Sequence, residues 1–234
     1  MDTMQVPARF NGPASSGNGG WTSGALAEIS GLPQPVTVQL RRPPPLDRPL
    51  HVVRDGDAVE LRDGEDVVAV AMPGTDLSWE PPAPVDLPTA REAERSYPGH
   101  RSHPFPRCFS CGPDRDDGLR IFPGRVDGNR VAATWTPAED TVDTPAVWAA
   151  LDCVSAWSSD LEERPLVLAQ MTARIGSPPE AGTPYAVVGT TVRTEGRKTW
   201  TASALHDRDG ELVAQAQHLW IAIDPAVVKQ LQDG

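Results

Sequence analysis

Apolar and polar positions alternate with the period of a strand through most of this chain, and two stretches keep the period of a helix instead. In the C-terminal half, residues 118–122 and 130–135 alternate as strands, and VDTPAVWAALDCVSAWSSDLEE then reads as a helix. Thr144 before Pro145 marks its start, because Thr is a capping residue and proline at the first helical position gives up no needed N–H. Val147, Leu151 and Val154 form an apolar stripe with Ala150 and Trp157 beside it, which predicts a largely buried helix. Four long strands follow, over 166–175, 185–194, 199–206 and 212–223, with turns such as Arg208-Asp209-Gly210 between them. The N-terminal half has a glycine-rich entry, a helix over 21–30 stopped by Gly31 and Pro33, and shorter strands over 36–41, 50–54, 58–62 and 66–71. A helix followed by antiparallel strands, twice over, predicts an α+β fold in which each sheet wraps one apolar helix.

The two halves repeat each other. VTVQLRRPPPLDRPLHVV (36–53) laid over MTARIGSPPEAGTPYAVV (171–188) matches Thr37 with Thr172, Pro43 with Pro178, Pro44 with Pro179, Pro49 with Pro184, Val52 with Val187 and Val53 with Val188, a constant offset of 172 − 37 = 135. Asp63-Gly64-Glu65 falls on Asp209-Gly210-Glu211 at an offset of 146, so the second half carries a longer strand pair. Two copies are too few for a solenoid and imply a duplicated domain packed as a pseudo-dimer. The domains are read as a first repeat over 1–73, a Pro-rich linker over 74–106 with one short helical piece at 89–96, a second repeat over 107–226 and a tail over 227–234.

Composition narrows the class of partner. The chain has 234 residues, with 21 Lys plus Arg against 32 Asp plus Glu, a net charge of −11. An acidic chain without a basic block argues against capture of nucleic acid or an anionic membrane surface. No apolar run reaches the roughly 18 to 20 residues of a membrane helix, and the N-terminus lacks a signal-peptide pattern. Three Cys make no disulfide framework, so a cytoplasmic, reducing location is expected. Proline, 25 residues and about twice average usage, is clustered and marks loops and the linker.

Three motifs resemble the hot-dog-fold acyl-CoA thioesterases in their tandem, double-hot-dog form. Asn18-Gly19-Gly20 opens the first helix where that family often has HGG. Ala149-Ala150-Leu151-Asp152 resembles the ALxD stretch of the phenylacetate-type thioesterases, and Cys108-Phe109-Ser110-Cys111-Gly112 with Gly118-Leu119 resembles their CxxCG and GL segment. The resemblance implies an acyl-CoA or related thioester as substrate, no cofactor, and a site that joins the glycine end of one helix to a carboxylate of the other half. Asp152 is the candidate nucleophile or general base, and Gly19 and Gly20 the candidate oxyanion donors, since a helix N-terminus presents unpaired N–H groups. Asn18 stands where the family has histidine and can orient a water or a carbonyl without titrating. Glu28 lies eight residues after Gly20, as Asp152 lies eight after Thr144, although an exposed helical Glu is the ordinary outcome. Trp21 and Trp148 are candidates for an acyl pocket, and Thr144 and Ser155 for substrate contacts, with Ser155 able to bond its own backbone instead. The pseudo-symmetric second site has Asp143-Thr144-Pro145 in place of a glycine pair, so one working site per chain is expected.

His100, His103, Cys108 and Cys111 carry metal-ligand chemistry in the spacing HxxHxxxxCxxC. The gap between the pairs is shorter than in most structural zinc sites, and a Pro-rich linker meeting a turn is the favoured reading, with no metal expected. Cys153 is read as a packing residue on a buried helix. Three functions stay open: thioester hydrolysis at Asp152, non-catalytic binding of an acyl thioester or other hydrophobic ligand, and enoyl-thioester hydration, which would want a histidine near a helix start where none is found. Arg41, Arg42, Arg193, Arg197 and Lys198 are the cations available to CoA phosphates. Unpaired sheet edges suggest a homo-dimer or higher oligomer.

Overall fold

The computed structural model describes residues 2–75 and 77–233. In the first half β1 (Thr3–Gln5) precedes α1 (Gly19–Ser30), and β2 (Val36–Leu40), β3 (Pro49–Asp55), β4 (Ala58–Asp63) and β5 (Asp66–Pro73) follow. A short α2 (Leu87–Ala93) leads to β6 (Gly124–Asp127), β7 (Arg130–Trp135) and α3 (Thr144–Ala156). Next come β8 (Leu166–Ile175), β9 (Tyr185–Glu195), β10 (Lys198–His206), β11 (Leu212–Ala222) and α4 (Pro225–Asp233). No described helix is long and apolar enough to cross a membrane.

Among the described residues the strands form one antiparallel sheet in the order β1-β3-β4-β5-β2-β8-β11-β10-β9-β7-β6. Outward from the β2–β8 seam, β2-β5-β4-β3-β1 is matched by β8-β11-β10-β9-β7, which is the expected repeat. The dyad can be located to one residue. Thr37 and Thr172, equivalent in the repeat, are cross-strand partners, and their Oγ1 atoms lie 2.8 Å apart. In an antiparallel pair, a residue facing its own equivalent lies on the two-fold axis.

Both central helices are almost wholly buried against one face of this sheet. Asn18 caps α1 by accepting the Trp21 N–H on Oδ1 at 2.8 Å, and Gly31 ends it at φ 66°. Asp143, not Thr144, caps α3: its Oδ1 accepts the Ala146 N–H at 2.9 Å, and Thr144 is the first helical residue. Helix α1 runs antiparallel to α3, with Gly20 against Asp152 and Ala149, and Gly24 against Pro145 and Trp148. Each glycine sits where a Cβ would meet the partner helix at under 3 Å.

Three expectations need revision. Residues 118–122 are not a strand: Leu119 and Ile121 are buried as the alternation predicts, but their N–H groups bond the carbonyls of Phe109 and Ser110, and Arg120 at φ 55° breaks the extended run. The short helix of the connector begins earlier, capped by Asp86 with Pro88 in its first turn. It also packs. Val85 and Ala90 meet Ala132, Ala186 and Val188, the positions of β7 and β9 that face away from the central helices. Finally, the last residues form α4, whose Val227 and Leu231 close over a cleft described below.

Candidate functional site

Asp152 sits two turns into α3, 2 % exposed, where α3 passes the N-terminus of α1. Its Oδ2 accepts the Gly20 N–H at 2.9 Å, so a carboxylate of the second repeat rests on the positive end of the first repeat's helix. Gly20 is obligatory for that approach. A Cβ there would lie 2.5 Å from the Asp152 Cβ and 2.8 Å from the Trp148 carbonyl oxygen. Asp152 Oδ1 is buried without a hydrogen-bond partner. Burial pushes this carboxyl up to about 8, against the lowering effect of the Gly20 N–H and the Asn18 amide.

A cleft of about 390 Å³ on the β2–β8 seam reaches the end of α1 at Gly19, one residue from this contact, while Gly20 and Asp152 themselves do not line it. Its apolar walls include Leu40 from the first repeat and Leu168 and Ile221 from the second, with Gly19 at the helix end and Val227 and Leu231 of α4 along the side. Arg41, Arg42 and Arg197 also line it, which selects three of the five cations named from the sequence. Arg193 is instead placed over the Trp200 ring, 3.9 Å from its centroid. Gly19, at the first position of α1, needs no intrahelical partner for its N–H, and this N–H belongs to a residue that lines the cleft.

The remaining candidates are distributed differently. Asn18 is buried, with Oδ1 committed to capping and Nδ2 turned to two sulfurs, Cys108 Sγ at 3.5 Å and Cys153 Sγ at 3.9 Å. Trp21 stacks on Phe10 with ring centroids 4.2 Å apart and does not line the cleft. Ser155 donates to the Asp152 backbone carbonyl at 2.9 Å and accepts the Thr201 hydroxyl at 2.8 Å, so it bonds neither the Asp152 carboxylate nor the cleft. Glu28, exposed, shares with Thr144, Trp148 and Ala27 a small cleft of about 180 Å³ at the opposite end of the helix pair. Among the described residues that end holds no buried carboxylate, and its helix N-terminus is already capped by Asp143.

The sequence reading missed one grouping. Cys108, Cys111 and Cys153 converge, with all three sulfurs within 4.8 Å of one another, and His103 Nε2 lies 3.4 Å from Cys111 Sγ. The CxxC spacing signals the first two, but Cys153 is 45 residues on, and only the docking of the 108–112 turn against α3 brings it in. His100 is elsewhere, edge-on to Tyr97 and Phe122. Within the cluster the Cys108 thiol is held down by donation from Cys111 and Cys153, whereas Cys153 is pushed up by its own bonds to Cys108 and Cys111, and Cys111 by burial. Burial likewise lowers His103.

No family model matches the chain, and no curated protein matches its sequence. Solved structures do. A conserved protein of unknown function with a hot dog fold from Alicyclobacillus acidocaldarius superposes at TM-score 0.64 and 15% identity, covering 95% of this chain and 93% of that one. The chain has a double hot-dog fold. The tesB protein of Mycobacterium avium subs paratuberculosis matches at TM-score 0.61, 14% identity and 95% and 92% coverage. A candidate thioesterase from Novosphingobium aromaticivorans matches at TM-score 0.61, 14% identity and 95% of both chains. In double hot-dog terms, Asp152 and α1 meet where the two hot-dog units are joined, and the cleft draws its walls from both.

Proposed function

We propose that this double hot-dog protein hydrolyses an acyl-CoA or related thioester between its two repeats. The observation that carries the reading is the Asp152 carboxylate bonded to the glycine N-terminus of the other repeat's helix, beside a cleft with apolar walls and three arginines. An acyl thioester entering along Leu40 and Leu168 would present its carbonyl oxygen to the Gly19 N–H, where the helix end favours developing negative charge. In its ionised form, which the raised pKa places at the alkaline side of neutrality, Asp152 either takes a proton from a water, whose oxygen attacks the carbonyl carbon, or attacks that carbon itself to form an anhydride that water then cleaves. In both routes the C–S bond breaks; the leaving thiolate takes the proton from Asp152 in the first route and from solvent in the second. Arg41, Arg42 and Arg197 suit the phosphates of CoA. Only one end of the helix pair has this arrangement, which supports one working site per chain.

The test is thiol release from short, long and aromatic acyl-CoAs, with a thioether analogue of the best substrate measured for binding. Turnover of at least one thioester supports the reading, and absence of turnover across the panel overturns it. One observation favours a second reading. The Gly20 N–H, an expected oxyanion donor, is already occupied by Asp152, as it would be in a non-catalytic protein that binds an acyl thioester and leaves it intact. Binding of the thioether analogue without turnover of any thioester selects that alternative.

A further inference from the structure

We propose that His103, Cys108, Cys111 and Cys153 bind one zinc ion, which ties the 103–112 segment to α3 immediately beside Asp152. The three sulfurs lie within 4.8 Å of one another, and His103 Nε2, outside that group, approaches it through Cys111. Zinc–thiolate bonds of about 2.3 Å at the tetrahedral angle put two sulfurs about 3.8 Å apart, and a sulfur and an imidazole nitrogen about 3.6 Å apart. Cys108 Sγ and Cys153 Sγ are 3.6 Å apart, and Cys111 Sγ and His103 Nε2 are 3.4 Å apart. Disulfide bonding would need about 2.05 Å, so the sulfurs are not bridged.

The surroundings fit thiolates better than packed thiols. The turn is C-x-x-C-G, and the glycine is required: a Cβ on Gly112 would lie 2.5 Å from the Cys108 nitrogen and 2.6 Å from its carbonyl oxygen. Asn18 turns its amide donor to both Cys108 and Cys153, the outer-shell role that hydrogen-bond donors play around metal-bound ligands. The segment is held in place by Ser110 Oγ donating to the Ala149 carbonyl at 2.6 Å and by Tyr97 donating to the Cys111 carbonyl at 2.9 Å. Soft sulfur ligands in a tetrahedral set select zinc over the oxygen-seeking cations.

On binding, the three thiols release their protons to solvent and the ion sheds its water, leaving a charge of 2 − 3 = −1 faced by the Asn18 amide. His103 Nδ1 accepts the Phe105 N–H at 2.9 Å, so ligation through Nε2 moves the ring proton to Nδ1 and gives up that bond. Its contribution is therefore the weakest of the four. The site does not depend on the thioesterase reading, since a metal would fix the Cys153 backbone, and with it Asp152, in an enzyme or in a binding protein alike.

The test uses the full chain, purified under reducing conditions from zinc-supplemented cells, with metal content by mass spectrometry and cobalt titration after chelator treatment. The expected result is one zinc per chain, and one cobalt with a thiolate-to-metal charge-transfer band and intense tetrahedral d–d bands, displaced by zinc. Cys153→Ser should lose cobalt affinity by more than about 100-fold, and His103→Ala by about 10- to 100-fold with the charge-transfer band kept. Chelation should lower the Tm of the parent and leave that of Cys153→Ser unchanged, a readout that holds even if the variant is less stable. Metal-free protein with three titratable thiols and no cobalt uptake overturns the proposal. So does bound iron in place of zinc, a disulfide, or a Cys153→Ser variant that binds cobalt as tightly as the parent.

Discussion

Gly20→Ala attacks the contact on which the site is built. The added Cβ would lie 2.5 Å from the Asp152 Cβ, 2.8 Å from the Trp148 carbonyl oxygen and 3.0 Å from the Ala149 Cα. Two of these three are backbone atoms of a buried helix and cannot swing aside, so α1 and α3 must separate. Overpacking of this kind costs about 1 to 3 kcal/mol. Separation also strains or breaks the Gly20–Asp152 hydrogen bond, and bonds to charged groups are worth about 1.5 to 3 kcal/mol. Against this, alanine is favoured over glycine inside a helix by about 1 kcal/mol. The net expectation is a loss of about 2 to 5 kcal/mol, and at about 2 to 4 °C per kcal/mol for a chain of this size the Tm falls by roughly 4 to 20 °C. Urea denaturation followed by circular dichroism measures it, read as a lower midpoint at unchanged slope. Gly19→Ala is the internal comparison, because its Cβ meets the side chains of Leu168 at 3.0 Å and Leu40 at 3.2 Å, which can yield, and it should be the milder change. A Gly20→Ala protein as stable as the parent would refute the close approach of the two helices.

Other outcomes follow from the same geometry. Ser155→Ala removes the acceptor of the Thr201 hydroxyl inside the core and should cost about 1 to 3 kcal/mol in denaturation midpoint while leaving kcat unchanged; a drop in kcat would place Ser155 in the site after all. Replacing Arg41, Arg42 and Arg197 by Gln should raise KM for acyl-CoA several-fold at constant kcat, and leave KM unchanged for a short thioester lacking the nucleotide; equal effects on both would remove the arginines from CoA recognition. His218 is fully buried beside Trp220, and burial pushes it down from 6.5 to about 3. Its folded pKa is depressed, so the unfolded chain binds the extra proton, and stability falls as pH drops from about 6.5 toward 3, at up to about 1.4 kcal/mol per pH unit. His218→Leu should show a shallower acid-side slope than the parent over that window, and an identical slope would contradict a neutral buried imidazole.

Much of this molecule was legible because its repeat is written in residues that pack. Thr37 and Thr172 matched in the alignment and turned out to straddle the dyad, and the alternation of β8 to β11 predicted their strands within about a residue. Asp152 stood out as a lone carboxylate in an apolar helix, and the fold gives it the other repeat's helix end as partner. What was hidden depends on contacts remote in sequence. Three residues of β1 carry no periodicity to read, and they form a strand only because β3 offers an edge. Residues 118–122 alternate like a strand but bond to a loop. The occupation of the Gly20 N–H by Asp152 spans 132 residues, and the arrival of Cys153 at the CxxC turn spans 45; neither distance leaves a local signature. Trp21 and Trp148 carry no such signal either way, since large aromatics on a buried helix pack wherever the helix is covered, here against Phe10 and the Gly24 contact.

The central claim rests on the carboxylate of Asp152, and Asp152→Asn isolates it, because an amide oxygen can still accept the Gly20 N–H and the side-chain volume is kept. The decisive measurement is kcat on the best thioester for the parent and Asp152→Asn, after circular dichroism and binding of the thioether analogue establish that both are folded and bind alike. The account predicts unchanged binding with kcat reduced by about 10² to 10⁴, the range typical of losing a positioned acid or base. An Asp152→Asn protein that turns over at the parental rate would contradict it.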